Sequence, residues 1–412
     1  MIRYFESDNS IDPGRWVMSV MFSPVKMGAM EVANRFVHSA TYEAMATENG
    51  EVTGELIKRY RTLAKAGTGL IIPGYFYVNP LGRAMPKQTG IHSDEMIPGL
   101  SKLAEAVHEH GGKIAFQLVH GGMETGKAII GRAPLGPSGG LRNPMTFEKC
   151  KEMTQVQIEE TIYAFAQGAR RAAEANADAV QIHGAHGFLI SEFLSPFFNR
   201  RKDAWGGSNE GRFRFVKEVI RETRKVLPDT MPILIKINTN DFTPKEGVTP
   251  EVAKKYAGWL RDAGIDGVEL SCGTFFTFHV VRGEIPSKEL AKTLPRWMRP
   301  LAKLQFRKLR RQCGFLEAYN LPAAEIIKPE LGEVPLMLVG GVRRLSQMEK
   351  LVEEKYTDLV SMSRPFIREP LLVKRFREGR ADEASCISCN KCFAAVANDL
   401  PLRCYVDGLP PL

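Results

Sequence analysis

The feature that most constrains this chain is a repeated alternation. Short apolar runs at residues 35–38, 69–72, 113–119, 178–182, 233–237, 266–270, 335–339 and 357–362 each read as a strand, and most lead into a segment with apolar residues at helical spacing. The predicted helices cover 54–66, 98–110, 155–175, 211–226, 250–263, 346–354 and 370–378. Leu56, Ile57, Tyr60, Leu63 and Ala64 give the first helix its apolar stripe, and Thr249 with Pro250 offers the fifth an N-cap and a first-turn proline. Strands that do not alternate in polarity are buried on both faces, which implies a parallel sheet covered by helices. Eight such units close on themselves, so the predicted fold is α/β, a (β/α)8 TIM barrel, and chemistry is expected at the strand C-terminal ends.

Length leaves room for additions to the barrel. Residues 1–20 read as an N-terminal arm, 21–380 as the barrel and 381–412 as a Cys-rich tail. The connection 272–331, after strand six, is too long for a barrel loop and reads as an insertion. It also carries most of the net charge of +9, with nine Lys or Arg against one Glu between residues 287 and 312. A confined patch of this kind argues against a nucleic-acid partner. Leu294, Trp297, Met298, Leu301, Leu304 and Leu309 interleave with the cations, as in an amphipathic helix packing on the barrel or on a sister subunit. A homo-oligomer is therefore expected, with a lid, an acidic partner or an anionic membrane surface as sharper readings of the same segment. No apolar run reaches the length of a membrane span and none near the amino terminus resembles a signal sequence, so a cytoplasmic location is expected.

The strand ends share a chemical theme. Strand three ends Gln117-Leu118-Val119-His120, strand four ends His183-Gly184-Ala185-His186, and strand five carries Lys236. Two imidazoles three residues apart at a strand end are a pair of donors able to hold one substrate oxygen. Gly340 and Gly341 end strand seven, and Ser363 and Arg364 follow strand eight. Close backbone approach plus a fixed cation at that place suits a phosphate. A buried lysine needs an anion or strong acceptor, and an amide such as Gln117 can both donate and accept. Together these residues suit flavin mononucleotide (FMN) across the barrel mouth, although a paired core lysine and a satisfied core glutamine are the ordinary alternatives for each alone.

In the stretches Phe22-Ser23-Pro24, Asn34-Arg35-Phe36-Val37, Gly69-Leu70-Ile71-Ile72, Ile97-Pro98-Gly99-Leu100, Gln117-Leu118-Val119-His120, 183–207 and Ser363-Arg364-Pro365, the chain resembles the old yellow enzyme (NADH:flavin oxidoreductase) family. It is most similar to the branch with bacterial 2,4-dienoyl-CoA reductase and trimethylamine dehydrogenase. The resemblance implies an enzyme with non-covalent FMN, reduced by NADH or NADPH, that reduces an alkene activated by a carbonyl. His183 and His186 would bind the carbonyl oxygen, Gln117 and Lys236 the isoalloxazine, and Gly340, Gly341, Ser363 and Arg364 the phosphate. At the end of strand one, where the family presents Thr or Cys to the flavin, this chain has Tyr42 with Thr41 beside it. Many members have tyrosine after the second His-Gly as a proton donor, and here Phe188 stands there. Oxidation of an amine or alcohol, with electrons leaving for an electron-transfer protein, is the alternative that Phe188 favours.

The tail reads C-x2-C-x2-C-x11-C through Cys386, Cys389, Cys392 and Cys404. Clustered thiols suit an iron-sulfur cluster of the 4Fe-4S type, with tetrahedral zinc or unmetallated thiols as alternatives. The resembled branch has such a tail, with one more residue between the second and third cysteines.

Overall fold

The computed structural model describes residues 19–410 except 145 and 275–278, with the side chain of Lys308 left aside. The expected arm at 1–20 lies almost wholly outside the described residues. Eight parallel strands form the barrel: β1 Phe36–His38, β2 Leu70–Ile71, β3 Lys113–Val119, β4 Ala179–Gly184, β5 Ile233–Asn238, β6 Gly267–Ser271, β7 Leu336–Val339 and β8 Leu359–Met362. Each pairs with its sequence neighbours. The ring closes where Val360 of β8 lies opposite Phe36 of β1 and Val37 opposite Leu70 of β2. Nearly every strand residue is buried on both faces, as non-alternating strands require.

Helices α1 Gly54–Lys65, α2 Ile97–His108, α3 Gln155–Glu174, α4 Asn209–Val226, α5 Pro250–Asp262, α6 Leu321–Leu331, α7 Leu345–Glu353 and α8 Leu372–Arg377 form the outer ring. Their starts follow from the sequence. Thr154 and Gln157 make a reciprocal capping box on α3, Ser208 caps α4, and Thr249 caps α5 ahead of Pro250. The helix α6 packs on α5 as the sixth barrel helix, so the intervening segment is 272–320 rather than 272–331. Within it, helix Arg299–Gln312 buries Ala302 but leaves Leu301 60% and Leu304 64% exposed, beside Trp297 at 81%. Its apolar stripe is not covered by the described residues.

The bottom of the barrel is sealed by a hairpin, Val25–Met27 with Met30–Val32. Met27, Met30 and Val32 cluster with the inward Val37, Leu70, Ala115, Ala179, Leu234, Met337 and Leu359, which form the lowest layer. A recurring carboxylate staples the strand starts. Asp178, Asp266 and Asp358 each precede a strand and accept from a backbone N–H in the first two residues of the strand before it, at Ile114, Ile233 and Leu336. Each also meets a cation or imidazole: Lys113 and His108, Arg224, and Lys328 respectively. Among the described residues no helix is long and apolar enough to cross a membrane.

Candidate active site

The C-terminal ends of the strands open into a cavity of about 490 Å³. Ligand pockets commonly hold roughly 300–1,000 Å³, so this one is of the size that takes a bound small molecule. Thr41, Lys236, Gly340, Gly341, Ser363, Arg364 and His186 all line it. His183 and Gln117 are fully enclosed just beyond its wall.

Strand β4 ends in the two histidines. Burial, then the neighbouring His186 and Lys236, holds the His183 imidazole well below its usual range, so it is neutral. Its Nδ1 accepts from the Ala185 N–H at 3.3 Å, which leaves the ring hydrogen on Nε2. His186 follows in the left-handed region, with φ of 68°, and Gly187 continues at 85°. That turn sets the two rings edge to face with centroids 5.2 Å apart. It is held from β5, where Asn238 Oδ1 accepts from the His186 N–H at 3.1 Å, and from β6, where Ser271 Oγ lies 2.7 Å from His186 Nε2. Phe188 is buried against His183 at 4.7 Å and Tyr75 at 5.0 Å between centroids.

Inside the barrel, below the cavity, runs a polar chain. Gln117 Nε2 donates to Gln181 Oε1 at 2.5 Å, Gln181 Nε2 donates to Glu269 Oε2 at 2.9 Å, and Lys236 Nζ lies 3.2 Å from the same oxygen. Lys236 also donates to Ser39 Oγ at 2.9 Å. The buried lysine therefore meets an anion of the protein itself, while Gln117 Oε1 is buried without a partner. Sequence reasoning missed Gln181, Glu269 and Ser39. Inward positions alternate along a strand, so the polar pairs Gln117 opposite Gln181 and Lys236 opposite Glu269 were the available signal.

The residues expected to hold a phosphate are more constrained than the sequence suggests. Gly340 and Gly341 have φ of 137° and 79°, and a Cβ on either would strike Tyr319 or the Leu316 carbonyl. Their first role is thus to let the segment before α6 lie against β7. Arg364 is engaged, donating at 2.6 Å to both the Arg282 carbonyl and Asn390 Oδ1, so it ties the barrel mouth to the long connection and the tail. Thr41 Oγ1 and Ser363 Oγ are 2.6 Å apart.

All four tail cysteines line one small cavity with Arg364 and Arg368. Cys386 and Cys392 also line the large cavity, so the two adjoin. Burial raises both thiols, that of Cys392 to about 11. Among the described residues no three His, Cys, Asp or Glu side chains converge tightly enough to hold a single metal ion.

The sequence profile of the NADH:flavin oxidoreductase / NADH oxidase family matches residues 20–282. The chain belongs to that family. Membership makes it an FMN flavoprotein oxidoreductase of the old yellow enzyme type, with a nicotinamide reductant. Relatives include an NADPH dehydrogenase of Geobacillus sp., 35% identical over 85% of this chain and 92% of its own length. An NADH oxidase of Thermoanaerobacter brockii is 33% identical over 94% of this chain, which spans only 56% of that relative. Among solved structures, a 2-naphthoyl-CoA reductase complex superposes with a TM-score of 0.82 at 27% identity, over 94% of this chain and 56% of that one.

Proposed function

We propose that this oxidoreductase is an FMN-dependent ene-reductase that uses NADH or NADPH to reduce a double bond activated by a carbonyl, in the branch with dienoyl-CoA reductase and trimethylamine dehydrogenase. The observation that carries the reading is the pair His183 and His186, neutral and set edge to face, with His186 braced from β5 and β6 and lining the cavity and His183 directly behind it.

Bound FMN would supply hydride to the β-carbon of the alkene. The chain does the rest. His183 Nε2–H and the His186 ring would donate to the carbonyl oxygen, and both donors strengthen as negative charge develops there; one such donor is typically worth about 10²–10³ in rate. Ser271 can donate to His186 Nε2, which leaves its other nitrogen free to carry a hydrogen. The unmatched Gln117 Oε1 and the Lys236 ammonium would suit the polar edge of an isoalloxazine, and the Thr41 hydroxyl lines the same cavity. Backbone N–H groups at Gly340 and Gly341, with Ser363 and Arg364, suit the phosphate.

For the tail, four thiols around one cavity, without tight convergence on a point, suit a 4Fe-4S cluster better than tetrahedral zinc. Cys386 and Cys392 between the two cavities would put it beside the flavin. That adjacency, with Phe188, favours the second reading, oxidation of an amine or alcohol with electrons passed through the cluster to a partner protein.

Stopped-flow reduction of the purified protein by NADH and NADPH, then reoxidation by cyclic enones and enoyl-CoA esters, tests the proposal. Rapid reoxidation by an alkene supports it. Colourless protein that cannot be reconstituted with FMN, or reduced flavin indifferent to every alkene, overturns it.

A further inference from the structure

Alkene reduction adds a hydride and a proton, and Phe188 has no proton to give. We propose that Glu124 is the acid that protonates the α-carbon of the substrate, an assignment that rests on the ene-reductase reading above. Glu124 lies five residues beyond β3, is 9% exposed, and lines the large cavity together with His186 and Phe188. Its carboxyl is held at one end only: Oε2 accepts from Asn143 Nδ2 at 3.0 Å, while Oε1 is buried with no partner among the described residues. Oε1 stands 3.2 Å from where a Cβ on Gly187 would sit. The acid thus lies against the backbone that leads into Phe188, on the side of the site where a tyrosine is missing.

The surrounding groups select Glu124 over the nearby phenols. Tyr42 donates to the Pro86 carbonyl and Tyr77 to the Asn49 carbonyl, so both hydrogens are committed. Tyr75 lines the cavity, but burial, Tyr42, Glu43 and Glu124 push its phenol well above its usual range and make it a weaker acid. Glu192, buried nearby, faces Met123 N rather than the cavity and is itself raised by burial and by Glu124. Burial lifts Glu124 to about 8, opposed only by the Asn143 hydrogen bond, so the group is protonated at neutral pH and gives its proton up close to it. Effective general acids have a pKa near the working pH.

The step balances. Hydride brings two electrons to the β-carbon, and the C=C π pair moves to the α-carbon and carbonyl oxygen as an enolate held by the histidines. The α-carbon then forms a C–H bond as the Glu124 O–H bond breaks. Nicotinamide is the terminal reductant, the alkene is reduced, and solvent returns a proton to the carboxylate.

The test uses holoenzyme carrying Glu124→Gln and Glu124→Asp. With a cyclic enone, flavin reoxidation in Glu124→Gln should slow by about 10²-fold or more, the scale of general-acid catalysis, and Glu124→Asp should recover part of it. With β-nitrostyrene, whose nitronate persists without an acid, reoxidation should continue while nitronate absorbance accumulates in the Gln variant alone. Independently of turnover, the infrared stretch of a protonated carboxyl should titrate near pH 8 and vanish in Glu124→Gln. If Glu124→Gln loses its fold, Glu124→Met, which also has no acid, is read in its place. Equal reoxidation of wild type and both variants by the enone, without nitronate, overturns the assignment of Glu124 alone. A wild type that reduces neither substrate overturns the ene-reductase reading as well.

Discussion

The ammonium of Lys236 lies 3.2 Å from the carboxylate of Glu269, with both side chains sealed from solvent. A buried pair is costly to break from one side, about 3–5 kcal/mol, because it strands the remaining charge. Lys236→Met should therefore lose several kcal/mol of stability and most bound FMN. Adding Glu269→Met should restore stability without restoring FMN. Urea titration with flavin content on the double-mutant cycle separates the two roles. Recovery of both quantities in the double variant would show Lys236 to be a structural partner only.

His183 and His186 are both held neutral by burial and by Lys236. Their donation to a substrate oxygen should then be independent of pH between about 6 and 8. His183→Ala or His186→Ala should slow alkene-driven reoxidation by about 10²-fold, and Ser271→Ala should slow it less. Stopped-flow measurement across that pH range checks this: a limb centred near 6.5 in the wild type would contradict it, whereas a fall near pH 8 belongs to Glu124.

Buried titratable groups set opposing limbs in stability against pH. Burial holds His38 to about 3 and His120 to about 4, below the ordinary 6.5, so the folded protein binds fewer protons than the unfolded chain. Each costs about 1.4 kcal/mol per pH unit as pH falls below 6.5, down to about 4 for His120 and about 3 for His38. Glu124 runs the other way: raised to about 8 from 4.5, it withdraws stability as pH rises between those values. The two slopes overlap and oppose each other between 4.5 and 6.5, which puts maximum stability on the acid side of neutrality. His120→Gln should flatten the acid limb and Glu124→Gln the alkaline one, read from denaturation midpoints across pH.

The barrel was legible because buried parallel strands leave non-alternating apolar runs, and Thr249 ahead of Pro250 marks a helix start. Asp178 and Asp266 were read as strand residues, whereas each turns back to hold the N–H of Ile114 or Ile233. That bond joins neighbouring strands far apart in sequence, so no local pattern announces it. The candidate site was legible where it is a contiguous motif, as at His183 and His186. It was illegible where inward side chains from different strands complete a polar chain, as at Gln181, Glu269 and Ser39, and where a loop folds back, as with Glu124. The sixth helix was hidden because Pro322 and Pro329 interrupt the pattern of Leu321–Leu331.

The tail gives a test that leaves the barrel intact. Cys389→Ser and Cys404→Ser alter thiols that line only the smaller cavity. Anaerobically purified wild type should contain iron and labile sulfide, and either variant should lose both while keeping FMN. Zinc without sulfide in the wild type would exclude a cluster. Cys386 and Cys392 line both cavities, so Cys392→Ser should also perturb the flavin spectrum.

Phe188 packs on His183 and Tyr75 and lines the cavity, so a hydroxyl at its tip would enter the site that holds the carbonyl and its neighbouring carbons. If Glu124 supplies the proton, Phe188→Tyr adds a second donor to a step that already has one, and wild-type turnover with a cyclic enone should rise only modestly. In the Glu124→Gln background the same change should restore a large part of the lost rate, because the new phenol would be the only acid present. Steady-state turnover and nitronate yield on the four-member cycle measure the coupling. A gain of similar size in both backgrounds would mean that the two groups act at separate steps, whereas rescue confined to Glu124→Gln would place them on the same proton.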